Sequence, residues 1–221
     1  PDHVAKLADL YALIGDAETA LSLEDEPNLG VLFHLRIWDA FVDTAEFMMI
    51  DQPGNIELRY WLAFAYTAQD EFDQAIYVLR STGLPDTVIK GRARTVSDIE
   101  GLTFLINALI GSGIPEAVEA GKVLAEGADR VQRWGDIGWI ALFGSCDLVL
   151  NGRNEEALEL LPRVKESPML RRPALLRDMY CFEQFQDEPI YQDVVNEQEA
   201  RRAALRKRLP TTLAELGVSL N

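Results

Sequence analysis

The sequence predicts an all-α protein that consists of consecutive helical hairpins. Apolar residues recur at the i, i+3, i+4 and i+7 positions of a helix in several segments, among them residues 7–14 and 102–109. No segment alternates apolar and polar residues around an Asn-Gly or Asp-Gly turn, the pattern that a β-hairpin would show. Each apolar run is followed by a break and then by a second amphipathic run. The breaks fall at Gly15, Asp70, residues 111–113 and Gly152.

Residues 61–79 carry the most complete of these hairpin patterns. Small side chains at Ala63 and Ala75 would let two antiparallel helices approach closely, while Tyr66 and Phe72 would fill the space beside that contact. This pairing of small and large side chains resembles a tetratricopeptide repeat. The positions that match the packing residues of the repeat are Leu62, Ala63, Tyr66, Phe72, Ala75 and Leu79.

Three weaker copies of the same register surround Ala20, Ala117 and Ala157. Together with Ala75, these alanines are 55, 42 and 40 residues apart, which exceeds the roughly 34 residues of the ideal repeat. The resemblance to tetratricopeptide repeats spans residues 4–165. It implies a right-handed α-α superhelix, a solenoid of about four degenerate helical hairpins over residues 1–172.

Two segments lie outside the repeat pattern. Residues 29–50 predict an additional long helix that packs against the first hairpin, and residues 173–221 predict a helical cap that closes the array. Residues 185–209 resemble the end of the repeat region in bacterial signalling proteins, such as nucleotide cyclases and winged-helix transcription regulators. Because the sequence begins at Pro1 without Met, we expect a segment of a longer protein with its catalytic or DNA-binding domain upstream.

The charge of the chain excludes two classes of partner. It carries 21 Lys+Arg against 36 Asp+Glu, a net charge of -15, and residues 1–89 contain 4 basic and 16 acidic side chains. Nucleic acids repel such a surface, so we expect no nucleic acid to bind. Charged residues interrupt the most apolar stretch, residues 31–50, so we also expect no membrane insertion. A cytoplasmic location is predicted, with the periplasm as the alternative for a chain attached to a membrane regulator.

No enzyme signature is present. The sequence has two His and two Cys, which are too few for a metal site or for a Cys-His nucleophile, and it lacks a phosphate-binding loop. We therefore predict a protein without catalysis, cofactor or metal. Cys146 and Cys181 are sufficient for one disulfide, but the sequence favours interpreting them as small buried side chains.

The predicted function is the binding of a protein segment in the concave side of the superhelix. Because the first half is acidic, a basic or amphipathic helix is the expected partner, and a second copy of the chain is the alternative. Tyr60 and Trp139 are the predicted exposed aromatic residues of this groove, whereas the alternative interpretation of Phe64 and Ile106 is that the extra helices cover them. The predicted groove consists of Glu57, Tyr60, Phe64, Thr67, Leu102, Ile106, Trp139 and Leu142.

A second hypothesis is a small-molecule sensor, in which the repeats close around an apolar cavity. Its predicted lining is Phe64, Leu102, Ile106 and Trp139. A closed pocket would favour this hypothesis, and an open groove would favour the binding of a protein segment.

Overall fold

The computed structural model describes residues 2–83, 96–128, 137–166 and 173–215, and the regular structure in these ranges is helical throughout. The prediction of an all-α fold is confirmed for these ranges. The α-helices are α1 (Asp2–Leu13), α2 (Ala17–Ser22), α3 (Leu29–Leu35), α4 (Trp38–Asp51), α5 (Ile56–Thr67), α6 (Phe72–Arg80), α7 (Val96–Gly111), α8 (Pro115–Ala128), α9 (Ile137–Leu150), α10 (Asn154–Leu160), α11 (Pro173–Asp178) and α12 (Pro189–Glu215). The 3-10 helices are η1 (Leu161–Glu166) and η2 (Tyr180–Phe185).

The turns between paired helices lie where the sequence predicted breaks. Gly15, Asp70, Gly113 and Gly152 have φ angles of 78°, 62°, 65° and 73°. This left-handed conformation reverses the chain directly after a helix, and glycine adopts it without a clash from a Cβ atom. Aspartate tolerates it better than most other side chains do. Local backbone chemistry therefore explains the hairpin boundaries.

The predicted long helix over residues 29–50 is wrong in one respect, because the chain forms two helices there. Asn28 caps α3, since its side chain accepts a hydrogen bond from the Val31 N–H at 3.1 Å. Arg36 then adopts a left-handed conformation with φ 60° and ψ 38°, and its N–H donates to the carbonyl of Phe33 at 3.1 Å. The chain changes direction at this residue and continues as α4.

Three of the hairpins follow one another in space as they do in the sequence. They are α5 with α6, α7 with α8, and α9 with α10, and the first helices of these pairs contact one another in the order α5, α7, α9. The close approach of α5 and α7 depends on Gly101, because a Cβ atom there would lie 2.5 Å from the ring of Tyr60. The right-handed superhelix implied by the tetratricopeptide resemblance stays a prediction.

The C-terminal segment connects the last hairpin to the first. Both α11 and η2 join the large core, and η2 packs against α7 and α9. Farther along, Leu209 and Leu213 of α12 belong to a second core together with Tyr11 of α1. Near this core, Arg202 Nε donates to the carbonyl of Leu13 at 2.8 Å and Arg206 Nε to that of Ile14 at 3.1 Å. Positive charge at the carboxyl end of α1 suits the dipole of that helix.

Candidate binding sites

The predicted groove residues lie mostly in the hydrophobic core. Tyr60 is only 3% exposed, so the prediction that it is an exposed contact residue is wrong. Phe64, Thr67, Leu102, Ile106 and Leu142 are also buried, whereas Glu57 is exposed. The side chain of Trp139 lies outside the described residues. The buried members cannot contact a partner in this structure.

Helices outside the repeat pattern explain the burial of Phe64. The ring of Phe33 in α3 lies 5.0 Å from that of Trp61 and 5.7 Å from that of Phe64, centroid to centroid. Trp38 at the start of α4 lies 5.6 Å from Phe64 and covers it from the same side. Coverage of Phe64 by the extra helices was the alternative interpretation of the sequence. A signal for burial was present in α9, because its described part is apolar on all sides apart from Ser145 and Asp147.

A cavity of about 240 Å³ lies in the first part of the molecule, between α1, α3, α4 and α5. Its lining combines the buried side chains of Phe33, Phe41 and Leu58 with partly exposed ones. Of the residues predicted to line a cavity, Phe64, Leu102 and Ile106 are not among its lining residues. The lining consists of Asp9, Leu29, Gly30, Phe33, His34, Phe41, Leu58 and Trp61.

Asp9 is the acidic residue of this cavity. Its Oδ1 atom is buried and accepts no hydrogen bond within the described part of the chain. Burial raises the pKa of Asp9, and the negative charge of Glu24 raises it further. Glu24 itself accepts a hydrogen bond from the side-chain amide of Asn28 at 2.8 Å. One oxygen of the Asp9 carboxyl group is therefore desolvated without a hydrogen bond from the described residues.

Gly30 makes room for that carboxyl group. A Cβ atom at position 30 would lie 2.1 Å from Asp9 Oδ1, a distance that real structures do not show. Glycine at this position therefore lets α1 and α3 approach each other with an acidic side chain between them. The sequence alone gave no signal for this pairing, because the two residues belong to different helices.

A second candidate site consists of exposed apolar side chains on α4 and α6, two helices that both pack against α5. Phe47 and Ile50 of α4 are 69% and 75% exposed, and Tyr77 of α6 is 76% exposed. These values are high for large apolar side chains, and Phe47 and Ile50, three residues apart, share one side of α4. We refer to the exposed surfaces of these two helices, with Phe47, Ile50, Tyr77 and the acidic side chains of both helices, as the α4–α6 face.

Acidic residues accompany these apolar side chains. The hydroxyl of Tyr66 donates a hydrogen bond to Glu46, an exposed residue next to Phe47 in α4. Burial and this hydrogen bond raise the pKa of Tyr66, and the charges of Glu46, Glu71 and Asp43 contribute as well. Tyr66 thus lies among carboxylates that belong to α4 and to the start of α6. Arg59 connects the segments that follow α4 and α6, because it donates to Ser81 and, at 2.8 Å, to the carbonyl of Pro53.

The second half of the molecule contains a buried polar cluster around Asn107. Cys146 and Cys181 form a disulfide with a Cα–Cα distance of 5.4 Å, so their interpretation as separate small side chains is corrected. The side chain of Asn107 accepts from the Cys181 N–H at 3.0 Å and donates to the Thr103 carbonyl at 2.8 Å and to Cys146 Sγ at 3.0 Å. Both cysteines therefore have a structural role, since they are bonded to each other and hydrogen-bonded to Asn107.

The described ranges contain no group of three or more His, Cys, Asp or Glu side chains arranged to hold a metal ion. Within the same ranges, no helix is long and apolar enough to cross a membrane. The chain shows no significant match to any family model, curated protein or solved structure with which it was compared.

Proposed function

We propose that this chain is a non-catalytic binding module, built as a degenerate tetratricopeptide-like array, that holds a basic amphipathic helix of another protein on the α4–α6 face. The exposure of Phe47, Ile50 and Tyr77 supports this proposal most directly. A partner that covered these side chains would remove a large apolar surface from water. This site replaces the concave groove, whose described side chains are buried apart from Glu57.

Charge complementarity selects a basic partner. Asp43, Glu46, Glu71 and Asp73 are exposed on or next to the α4–α6 face. Lys and Arg side chains along one edge of an amphipathic helix would pair with these carboxylates, while its apolar edge contacts Phe47 and Tyr77. Such pairs mainly accelerate association and select the partner, whereas the apolar contacts supply most of the affinity.

The proposal also includes the kind of protein to which the module belongs and its compartment. The resemblance of residues 185–209 to the repeat regions of bacterial signalling proteins supports a role as the interaction part of a larger regulatory protein. The Cys146–Cys181 disulfide favours the periplasmic alternative over the cytoplasm, because structural disulfides persist in oxidising compartments.

The proposal is tested with a labelled synthetic helix that has Leu along one edge and Lys along the other, titrated by fluorescence anisotropy. We expect the double substitution Phe47→Ser and Ile50→Ser to weaken binding at least about tenfold, because two apolar contacts are lost. The matched control is Val123→Ser with Ile190→Ser, which removes exposed apolar side chains from α8 and α12. This control should change the affinity by less than about twofold.

Three outcomes would contradict the proposal. One is equal binding of a peptide in which Glu replaces every Lys, because the acidic face should repel it. Another is an equal loss of affinity in the control variant. The third is a dimer in sedimentation velocity that Phe47→Ser and Ile50→Ser dissolve, since a second copy would then cover the α4–α6 face.

A second function, sensing of a small molecule, is favoured by the cavity between α1, α3, α4 and α5. Its volume of about 240 Å³ is below that of most drug-binding sites, so its ligand would be small.

A further inference from the structure

The cavity combines aromatic walls with one carboxyl group. Phe33, Phe41 and Trp61 supply the rings, and Asp9 supplies the carboxyl group. Aromatic rings present a negative face that attracts cations, and the attraction increases when the site is partly shielded from water. The rings and the carboxyl group therefore favour the same kind of ligand.

The Oδ1 atom of Asp9 lacks a donor. A buried acceptor without a hydrogen bond costs free energy, and a buried carboxylate without a positive partner costs more. Because Asp9 lines the cavity and its Oδ1 atom accepts no hydrogen bond from the described residues, its carboxyl group is available to accept one from a ligand N–H group. A neutral hydrocarbon would leave the atom unsatisfied, and an anion would be repelled.

The surroundings strengthen the preference for positive charge. Glu24 is close enough to act on Asp9 electrostatically, and residues 1–89 carry four times as many acidic as basic side chains. One carboxyl group is insufficient for a divalent metal ion, which prefers several oxygen or nitrogen ligands. An organic cation needs only one such group together with the rings.

We infer that the cavity between α1, α3, α4 and α5 binds a primary alkylammonium group, which donates hydrogen bonds to Asp9 while its carbon chain contacts Phe33 and Trp61. This inference deepens the sensing function and does not depend on the α4–α6 face. The small volume limits the ligand to a short amine or to the end of a lysine side chain. Both sources present the same chemistry to Asp9.

The test is a titration with n-pentylammonium, monitored by the amide NMR signals of Asp9, Gly30 and His34. We expect weak saturable binding with a Kd of about 1 mM, as suits a ligand of few atoms. n-Pentanol has the same chain without the charge, and it should bind at least about tenfold more weakly because it cannot form a charge-assisted hydrogen bond. A lysine amide acetylated at its α-amino group, with its side-chain ammonium free, distinguishes the two sources. Affinity equal to that of pentylammonium indicates a lysine side chain, and weaker binding indicates a free amine.

Two substitutions examine the role of the carboxyl group. Asp9→Asn keeps the shape of the side chain and should reduce the affinity for pentylammonium at least about tenfold. Glu18→Gln is the matched control, because it removes one negative charge from an exposed position in α2 and should change the affinity less than about twofold. Gly30→Ala keeps the net charge but displaces the Asp9 carboxyl, so it should also weaken binding.

The inference would be overturned by two results that differ in their meaning. If pentanol binds as tightly as pentylammonium, or if Asp9→Asn binds the amine unchanged, the cavity binds small molecules but does not select a cation. If neither probe shifts the cavity signals at about 50 mM, both the ammonium site and the sensing function are wrong. Circular dichroism of each variant shows that a loss of binding does not come from unfolding.

Discussion

Asn107 and Asp9 are interior polar residues with opposite surroundings. The amide nitrogen and the amide oxygen of the Asn107 side chain both have partners, which belong to α7, α9 and η2, and the residue is only 2% exposed. Asp9 leaves Oδ1 without a partner and borders a cavity. A satisfied buried cluster holds helices together, whereas an unsatisfied acceptor beside a cavity lowers stability and leaves a place for a ligand. The surroundings of Asn107 thus hold α7, α9 and η2 together, whereas those of Asp9 keep a site open.

Missing partners alone do not identify a ligand site. Gln198 of α12 has an amide group without a hydrogen-bond partner in the described part of the chain, yet it is 0% exposed. A ligand from solvent has no path to such a side chain. The contrast between Asn107 and Asp9 therefore depends on both hydrogen bonding and access.

The largest expected effect concerns the Cys146–Cys181 disulfide beside Asn107. Replacing Cys146 and Cys181 by alanine should lower the free energy of unfolding by about 4 kcal/mol, because the bond closes a loop with a sequence separation of 35 residues. Urea denaturation of the wild type and the double variant, each with and without reductant, measures this difference.

Reductant should destabilise the wild type and leave the double variant unchanged. Free thiols in the folded protein, detected with a thiol reagent under non-reducing conditions, would show that the two cysteines are not bonded. The second half would then be held by packing and hydrogen bonds alone, and the contrast with the Asp9 region would be weaker.

The hairpins of this fold were predictable from the sequence because their causes are local. A left-handed residue such as Gly15 or Gly152 ends a helix, and the alternation of small and large side chains in residues 61–79 indicates a close helix pair. Burial is not local in this sense. Phe64 is covered by Phe33, which lies 31 residues earlier in a helix outside the repeat pattern. The repeat register could therefore locate the helices but not the exposed faces.

The second prediction concerns the hydrogen bonds of Asn107. Asn107→Ala should lower the free energy of unfolding by about 3 kcal/mol, because it leaves the Cys181 N–H without an acceptor and opens a small cavity between α7 and α9. Asn196→Ala, an exposed position in α12, is the matched control and should change stability by less than about 0.5 kcal/mol. Equal effects of the two substitutions would show that the hydrogen bonds of Asn107 contribute nothing specific.

The candidate sites differ in how much of them the sequence revealed. The acidic first half was visible from composition, and it is the basis of the charge argument for the α4–α6 face. The sequence did not predict the exposure of Phe47 and Ile50, because residues 29–50 resembled one buried helix. The pairing of Asp9 with Gly30 was also hidden, since two helices must pack before their distance is defined.

The smallest expected effect belongs to Asp9, and its sign is opposite to the other two. Asp9→Asn should raise the free energy of unfolding at pH 7 by a small amount, because burial and Glu24 disfavour the charged carboxyl in the folded state while its partial exposure to water limits the effect. The pKa of Asp9 is raised above its ordinary value of 3.8, so the folded protein binds the proton more tightly than the unfolded chain does. The wild type consequently loses stability as the pH rises from 3.8 through that raised pKa.

The difference between Asp9→Asn and the wild type should therefore vanish well below pH 3.8 and be largest at neutral pH. Thermal unfolding at a series of pH values measures it. If the variant is less stable than the wild type at pH 7, Asp9 has a stabilising partner in solution and the comparison with Asn107 fails. If the variant is more stable, adding pentylammonium should reduce the gap, because a cation that binds the carboxylate stabilises only the wild type. The cost of keeping Asp9 charged is then removed by the ligand that the cavity is proposed to bind.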